Sequence, residues 1–419
     1  MNNKMLTPRN TAYNILKKVY NKNAFSNIEM MNIDDRYDSR EQRFVKALVF
    51  GVLERHILLE YILKHFVNKK TDREVLLLLE TGLQQILFMN VPDSAACNET
   101  VSLAKLLFDK QRAGFINAVL RNIVRNKDKL NEYIKTAPPH ILYSVSKSVY
   151  DLLKIQFGEN TEKILKAFYD NKPLFIRINN LISTADSILE SLKEKGAEAF
   201  IVSEKTLGIT NHSGVVLDNI NSGEFFIQGL SSQKAVTLLG AQEGHTVIDV
   251  CACPGGKSIG AAIDMSNRGR IFSIDIHKNK LSLIDNQAEI LGINIIKTMQ
   301  YDSREVNDDF KNIADRVICD VPCSGLGVIG SKPEIRYKNI EDLTMLYKTQ
   351  AQILRSSFEY LKPGGIMVYS TCTLNRRENE DIVSDFIHHN NKAKLIAEKT
   401  DFPYEDTGEG FYTAKLEKI

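Results

Sequence analysis

The chain has 419 residues, 43% of them hydrophobic and 25% charged, with six cysteines and no tryptophan. That is ordinary globular material, long enough for two or three separate cores, and it excludes a disordered chain or a small disulfide-stapled scaffold. The start MNNKMLTPRN has no apolar signal-like stretch, and no apolar run approaches the roughly 20 residues that cross a bilayer, so reduced thiols, a cytoplasmic location and no membrane partner are expected.

The net charge of +2 is unevenly spread. Residues 1–135 carry 22 Lys and Arg against 15 Asp and Glu, a balance of +7, while the remainder carries 32 against 37, a balance of −5. The basic part is the better contact for a polyanion, although a merely soluble basic helical domain has the same composition.

Taken in chain order, residues 1–135 read as helical throughout. SREQRFVKALVFGVLERHILLEYILKHF, REVLLLLETGLQQILFM and ETVSLAKLLFDKQRAGFINAVLRNIVRN repeat apolar residues every three and four places, which predicts an all-α bundle of five or more helices. Pro92 and Asp93 punctuate the last two, with Asp93 or Ser94 expected as a cap. Arg36, Arg40 and Arg43 cluster near one helix start, and Arg121, Arg125, Lys127 and Lys129 near one helix end. A phosphate backbone would suit them, and so would the helix macrodipole acting alone.

APPH at 137–140 marks a boundary. Beyond it PLFIRIN, the end of STADSILESLKEKGAEAFIV, and GEFFIQ read as strands around one helix, a small α+β module over 136–230. From 231 to 419 the runs HTVIDV, GRIFSIDI, INIIKTMQ, RVICDV and GGIMVYST alternate with helical segments, the pattern of an α/β Rossmann-like domain with a mostly parallel sheet. Ligands of such sheets bind beyond the carboxyl ends of the strands, so the residues there carry the functional question.

After the first run comes CACPGGKS, Cys251 to Ser258, a glycine pair poised to open a helix. It is not a phosphate loop of the GxxxxGK[ST] kind, since position 251 is cysteine, and GxGxxG is absent too. Asp275 ends the second run, where an acid usually meets ribose hydroxyls, and Asp302 follows the third. Cys323 follows RVICDV, and Cys372 follows GGIMVYS. No CxxC pair or spaced His pair accompanies Cys251, Cys253, Cys323 and Cys372, so no metal site is expected, while Cys97 and Cys319 read as small buried hydrophobes. Two cysteines at two active-edge strand ends point to thiolate chemistry.

At these residues the chain resembles a known family. DVCACPGGKS, DVPCSGLG and YSTCTLNRRENE look like motifs I, IV and VI of the RNA cytosine-5 methyltransferases, the middle module looks like their small RNA-binding module, and the amino-terminal helices look like a NusB-like RNA-binding bundle. Together they are similar to the 16S ribosomal RNA methyltransferases of the RsmB/Sun type. The departures are Cys253 in motif I, Gly229 in FIQGLSSQ where aspartate is usual, and SKPEIRYK without a tryptophan.

The resemblance implies methylation of carbon 5 of a specific cytosine in 16S ribosomal RNA, with S-adenosyl-L-methionine as cofactor, by a chain expected to act as a monomer. It makes Cys372 the nucleophile at carbon 6 and Cys323 the group that assists release, with Asp320 on the cytosine edge and near the methionine end of the cofactor. Cys251, Ala252, Cys253, Pro254, Gly255, Gly256 and Lys257 would wrap the cofactor, Asp275 would hold its ribose and Asp302 would lie near its adenine. A transfer RNA cytosine-5 methyltransferase, and a non-catalytic NusB-like RNA-binding factor, are the alternatives.

Overall fold

The structure, a computed structural model, describes residues 7–22, 29, 37–67, 70–211 and 214–419; Arg36 of the first basic cluster lies outside them. The chain forms two compact units, one of residues 1–155 with 329–339, the other of residues 156–328 with 340–419.

The first unit is helical: α1 (Pro8–Lys22), α2 (Ser39–Phe66), α3 (Arg73–Phe88), α4 (Asp93–Leu107), α5 (Lys110–Arg125) and α6 (Lys127–Lys135). In α2 the buried positions Val45, Leu48, Val49, Val52, Leu59, Ile62 and Leu63 keep the three-and-four spacing that lines one stripe of a helix. They close on Leu78, Leu83, Ile116 and Leu120, all fully buried, each contributing about 1.5–3 kcal/mol relative to exposure. The start of α2 is fixed by a capping box, in which Glu41 N–H donates to Asp38 Oδ1 at 2.8 Å and Asp38 N–H to Glu41 Oε2 at 3.2 Å.

The expected cap on α4 is absent. Pro92 occupies the cap position, Asp93 is the first helical residue, and no side chain caps the helix. Asp93 instead receives Lys127 Nζ at 2.9 Å, so a long-range ion pair competes for the carboxylate that local sequence assigned to capping. Segment 329–339 also packs in this unit: Arg336 is fully buried and donates to the Tyr143 carbonyl at 3.0 Å.

The second unit holds two sheets. The smaller is antiparallel, in the order β2-β3-β1-β4, with β1 (Leu174–Ile178), β2 (Glu198–Ser203), β3 (Thr206–Asn211) and β4 (Phe225–Ile227) beside α7 (Ala185–Glu194). The periodicity missed β3, whose TLGITN offers only two large apolar side chains and is reached through a charged Glu204-Lys205 turn in place of Asn-Gly. The fully buried Arg177 of β1 ties this sheet to the larger one's helices, pairing with Asp264 at 2.8 Å and donating to the Gly260 carbonyl at 3.1 Å.

The larger sheet has the order β10-β11-β9-β8-β5-β6-β7. Its parallel strands are the five apolar runs: β5 (Thr246–Asp249), β6 (Arg270–Asp275), β7 (Ile296–Gln300), β8 (Ala314–Asp320) and β9 (Leu361–Thr371). The antiparallel β10 (Ala393–Asp401) and β11 (Phe411–Lys418) complete one edge. Flanking helices are α8 (Leu230–Leu239), α9 (Gly256–Asp264), α10 (Lys278–Ile290), α11 (Thr344–Phe358) and α12 (Glu380–His389). The order reverses between β5 and β8, and at that switch point the carboxyl ends of an open sheet leave a crevice. Among the described residues, no helix is long and apolar enough to cross a membrane.

Candidate active site

The loop after β5 turns through Ala252, whose N–H donates to the Ile274 carbonyl at 2.8 Å, and Gly255, whose N–H donates to the Ala252 carbonyl at 2.7 Å. Gly255 sits at φ +109, where a Cβ would be strained and would press on Ile284 at 3.1 Å. Gly256 then opens α9, so the loop faces the crevice with backbone and helix amides in place of side chains. Beneath it, Asp249 is buried in a hydroxyl relay, Ser273 donating to Ser258 and Ser258 to Asp249, each at 2.7 Å. Burial pushes the Asp249 carboxyl up to about 7.

Asp275 closes β6 next to this loop. Burial works against its charge, but N–H donors at His277 (2.8 Å) and Cys253 (3.3 Å) overcome it and hold the carboxyl below its usual range. Asp302 stands after β7 with both oxygens on Arg304 Nε at 3.0 Å, and that pairing lowers its pKa.

At the switch point Lys257 Nζ donates to Asp320 Oδ2 at 2.6 Å, and Ser370 Oγ donates to Asp320 Oδ1 at 2.6 Å. Burial disfavours the ammonium, but Asp320, then Asp249 and Cys372, more than compensate and raise its pKa. Lys257 is therefore a fixed cation between an acid and a thiol.

The two strand-end thiols meet. Cys323, after β8, and Cys372, after β9, bring their sulfurs to 3.3 Å. The loops that carry them are locked at Gly327, whose N–H donates to the Cys372 carbonyl at 3.0 Å and whose carbonyl accepts from Gly410 N–H at 2.8 Å. A Cβ at Gly327 would lie 1.8 Å from the Gly410 carbonyl oxygen, so only glycine permits this approach.

The other cysteines are chemically quiet. Burial pushes Cys253 and Cys319 up to about 12 and Cys251 well above the thiol range. Cys97 and Cys319 are buried, as expected of small hydrophobes. Cys323 is also pushed up, first by its hydrogen bond to Cys372 and then by burial.

All twelve residues singled out from sequence stand at the carboxyl ends of this sheet's strands or in the loops and helix start that follow them, and Lys257, Asp320, Cys323 and Cys372 are brought together. Sequence reasoning passed over Ser370, which a hydroxyl at the end of a buried strand could have signalled. The family departure at Gly229 has a structural counterpart, because a Cβ there would meet the Glu409 carboxylate at 2.9 Å.

A parallel sheet reversing at this point, with a glycine-opened helix and acids on successive strand ends, defines a Rossmann-like domain whose crevice suits a nucleoside-containing ligand. Residues 236–417 match the family model described as 16S rRNA methyltransferase RsmB/F, and residues 6–125 match the NusB family. A probable ribosomal RNA small subunit methyltransferase B of Bacillus subtilis (strain 168) is 32% identical, covering 94% of this chain and 92% of the relative. A ribosomal RNA small subunit methyltransferase B of Klebsiella pneumoniae (strain 342) is 29% identical over 92% of each. The crystal structure of PH0851 has the same fold over 99% of both chains, at TM-score 0.81 and 22% identity. NSun6 from Pyrococcus horikoshii, solved with SFG, shares the fold over 65% of this chain and 98% of its own, at TM-score 0.59 and 22% identity. The chain belongs to the ribosomal RNA small subunit methyltransferase B family.

Proposed function

We propose that the protein methylates carbon 5 of a cytosine in 16S ribosomal RNA through a covalent bond between Cys372 and carbon 6 of the base. The observation that carries this reading is the pair of thiols 3.3 Å apart beside the Lys257–Asp320 ion pair.

The residues fit the cofactor. Gly255 and Gly256 leave room for close approach, and the ionised Asp275 offers acceptors to two ribose hydroxyls. S-adenosylmethionine supplies the methyl group as an electrophile. Asp302 can take part at the adenine end only by sharing its carboxylate with Arg304. Replacing Asp275 with Ala is expected to weaken S-adenosylmethionine binding by about 1–3 kcal/mol, because hydrogen-bonding groups would be left unpaired. Titration calorimetry giving an unchanged affinity would remove Asp275 from the site.

Carbon 5 of cytosine is a poor nucleophile. Addition of the Cys372 thiolate to carbon 6 makes the ring an enamine whose carbon 5 can attack the methyl group, so one hard step becomes two easier ones. Asp320, fixed by Lys257 and Ser370, meets the base edge and favours protonation at N3 as the adduct forms. Cys323, its own proton given up to solvent, then takes the proton from carbon 5; the electron pair of that bond restores the double bond to carbon 6, the carbon–sulfur bond breaks and Cys372 leaves as a thiolate. The base is reached unstacked, either flipped or in a loop.

RNA contact falls to the basic amino-terminal residues in this reading. Its support is a groove of about 830 Å³ between α4 and α5, lined by Lys105, Lys110, Arg121, Asn98, Asn117 and Phe108 among others. Exposed Arg40, Arg43, Arg125 and Lys129 add positive charge to the same unit, while Lys127 is engaged by Asp93.

Bisulfite sequencing of unmodified 16S ribosomal RNA incubated with the protein and S-adenosylmethionine should leave a single cytosine protected from conversion. Protection on transfer RNA alone, or methylation at another base atom, would sink the reading.

A further inference from the structure

Glu378 has no role in the chemistry above, yet it lies fully buried between the two thiol-bearing loops. Four donors converge on its carboxylate. Ser324 N–H and Gln350 Nε2 reach Oε2 at 2.8 and 3.0 Å, while Ser324 Oγ and Asn375 Nδ2 reach Oε1 at 2.6 and 2.9 Å. Ser324 is the residue after Cys323, and Asn375 is three residues beyond Cys372. Gln350, itself fully buried on α11, also donates to the carbonyl of Pro322, the residue before Cys323, at 2.9 Å.

The direction of these bonds matters. Ser324 has one hydroxyl proton and gives it to Glu378, so the 2.7 Å contact between Ser324 Oγ and Thr373 Oγ1 must be donated by Thr373, which adjoins Cys372. The single acceptor therefore orients a chain of donors drawn from both loops. A carboxylate this deeply buried is tolerated only when its lone pairs are filled, and here both loops are needed to fill them.

We infer that Glu378 is the positioning residue that sets the separation of the Cys323 and Cys372 sulfurs, so that both can act on one base. The inference rests on the thiol mechanism proposed above. It is tested by one measurement that needs that mechanism and one that does not.

The first readout is chemical. In the full-length protein without RNA or cofactor, the dithiol oxidant diamide removes two hydrogens from a thiol pair already close enough to join, and peptide mapping identifies the Cys323–Cys372 disulfide. Wild type should form it readily, and Glu378→Gln, which turns one of the two acceptor oxygens into a donor so that the four donors can no longer all be accepted, should form it about tenfold more slowly. The second readout is kinetic: kcat should fall about 100-fold, with KM for S-adenosylmethionine changed less than about twofold.

A disulfide formed at the wild-type rate in Glu378→Gln overturns the inference, whatever happens to kcat. Slower closure with full activity supports the positioning role and overturns the thiol mechanism instead. Should Glu378→Gln fail to fold by circular dichroism, Ser324→Ala removes one link and keeps the backbone donor. It should show the same pattern with a smaller amplitude, and wild-type closure in that variant overturns the inference as well.

Discussion

Cys372→Ala should abolish methylation and every covalent link to RNA, a loss of about 10⁴-fold or more, whereas Cys323→Ala should still attack and transfer methyl but stall as a protein–RNA adduct. The assignment is the one the motif resemblance implies, and the surroundings of the two sulfurs are these. Cys323 is pushed well above its ordinary 9.0, first by its hydrogen bond to Cys372 and then by burial, with Glu378 and Asp320 adding negative charge nearby. Its sulfur lies 3.3 Å from that of Cys372, close enough for a proton to be shared between them. Lys257 lies close enough to Cys372 for each to favour the charged form of the other. Denaturing electrophoresis of each variant with substrate RNA decides the matter. An adduct in Cys372→Ala that is missing from Cys323→Ala reverses the roles, and full activity in both ends the thiol mechanism.

The elements that carry this chemistry were legible because buried parallel strands write themselves as short β-branched runs. Each of the five apolar runs became a strand, and the residues just past them became the site. The acids and thiols could be placed on one sheet edge from sequence, but their pairings could not. Lys257 is 63 positions from Asp320, and Cys323 is 49 from Cys372, so only the strand order brings them together. Glu378 looked like one acid in a charged stretch, because its four donors come from three separate segments. Local rules failed where a distant group competed. Asp93 met Lys127 and left the cap to Pro92, and β3 formed from a polar hexapeptide because β1 and β2 flank it. Segment 329–339 follows the Cys323 loop in sequence yet packs with the helical unit, and no periodicity signals such a departure.

Lys257→Met should lower kcat by about 10² to 10³, the scale of removing one preorganised charged group from a reacting centre. The ammonium is the partner of Asp320 Oδ2 at 2.6 Å, and Ser370 alone would be left to hold that carboxylate against β9. Three anionic or ionisable groups, Asp320, Asp249 and Cys372, raise the Lys257 pKa, and by reciprocity the lysine favours the charged form of each. Asp249 shows what happens when burial dominates. Its carboxyl already stands at about 7, with Lys257 among the groups holding it down, so losing the cation should drive it higher still and leave it protonated at neutral pH. The sign of the pH effect follows from the raised lysine pKa. In the wild type Lys257 keeps its charge at every pH below its ordinary 10.5, so no acidic limb of the rate profile belongs to it. A methionine there keeps most of the apolar stem while deleting the ammonium, its hydrogen bond to Asp320 and its approach over the Phe411 ring. Single-turnover methyl transfer, measured with saturating S-adenosylmethionine and alongside a direct binding titration, separates loss of chemistry from loss of cofactor. A fall of less than about tenfold, or one explained by cofactor affinity alone, would make Lys257 a wall of the cofactor pocket and leave Asp320 to act without it.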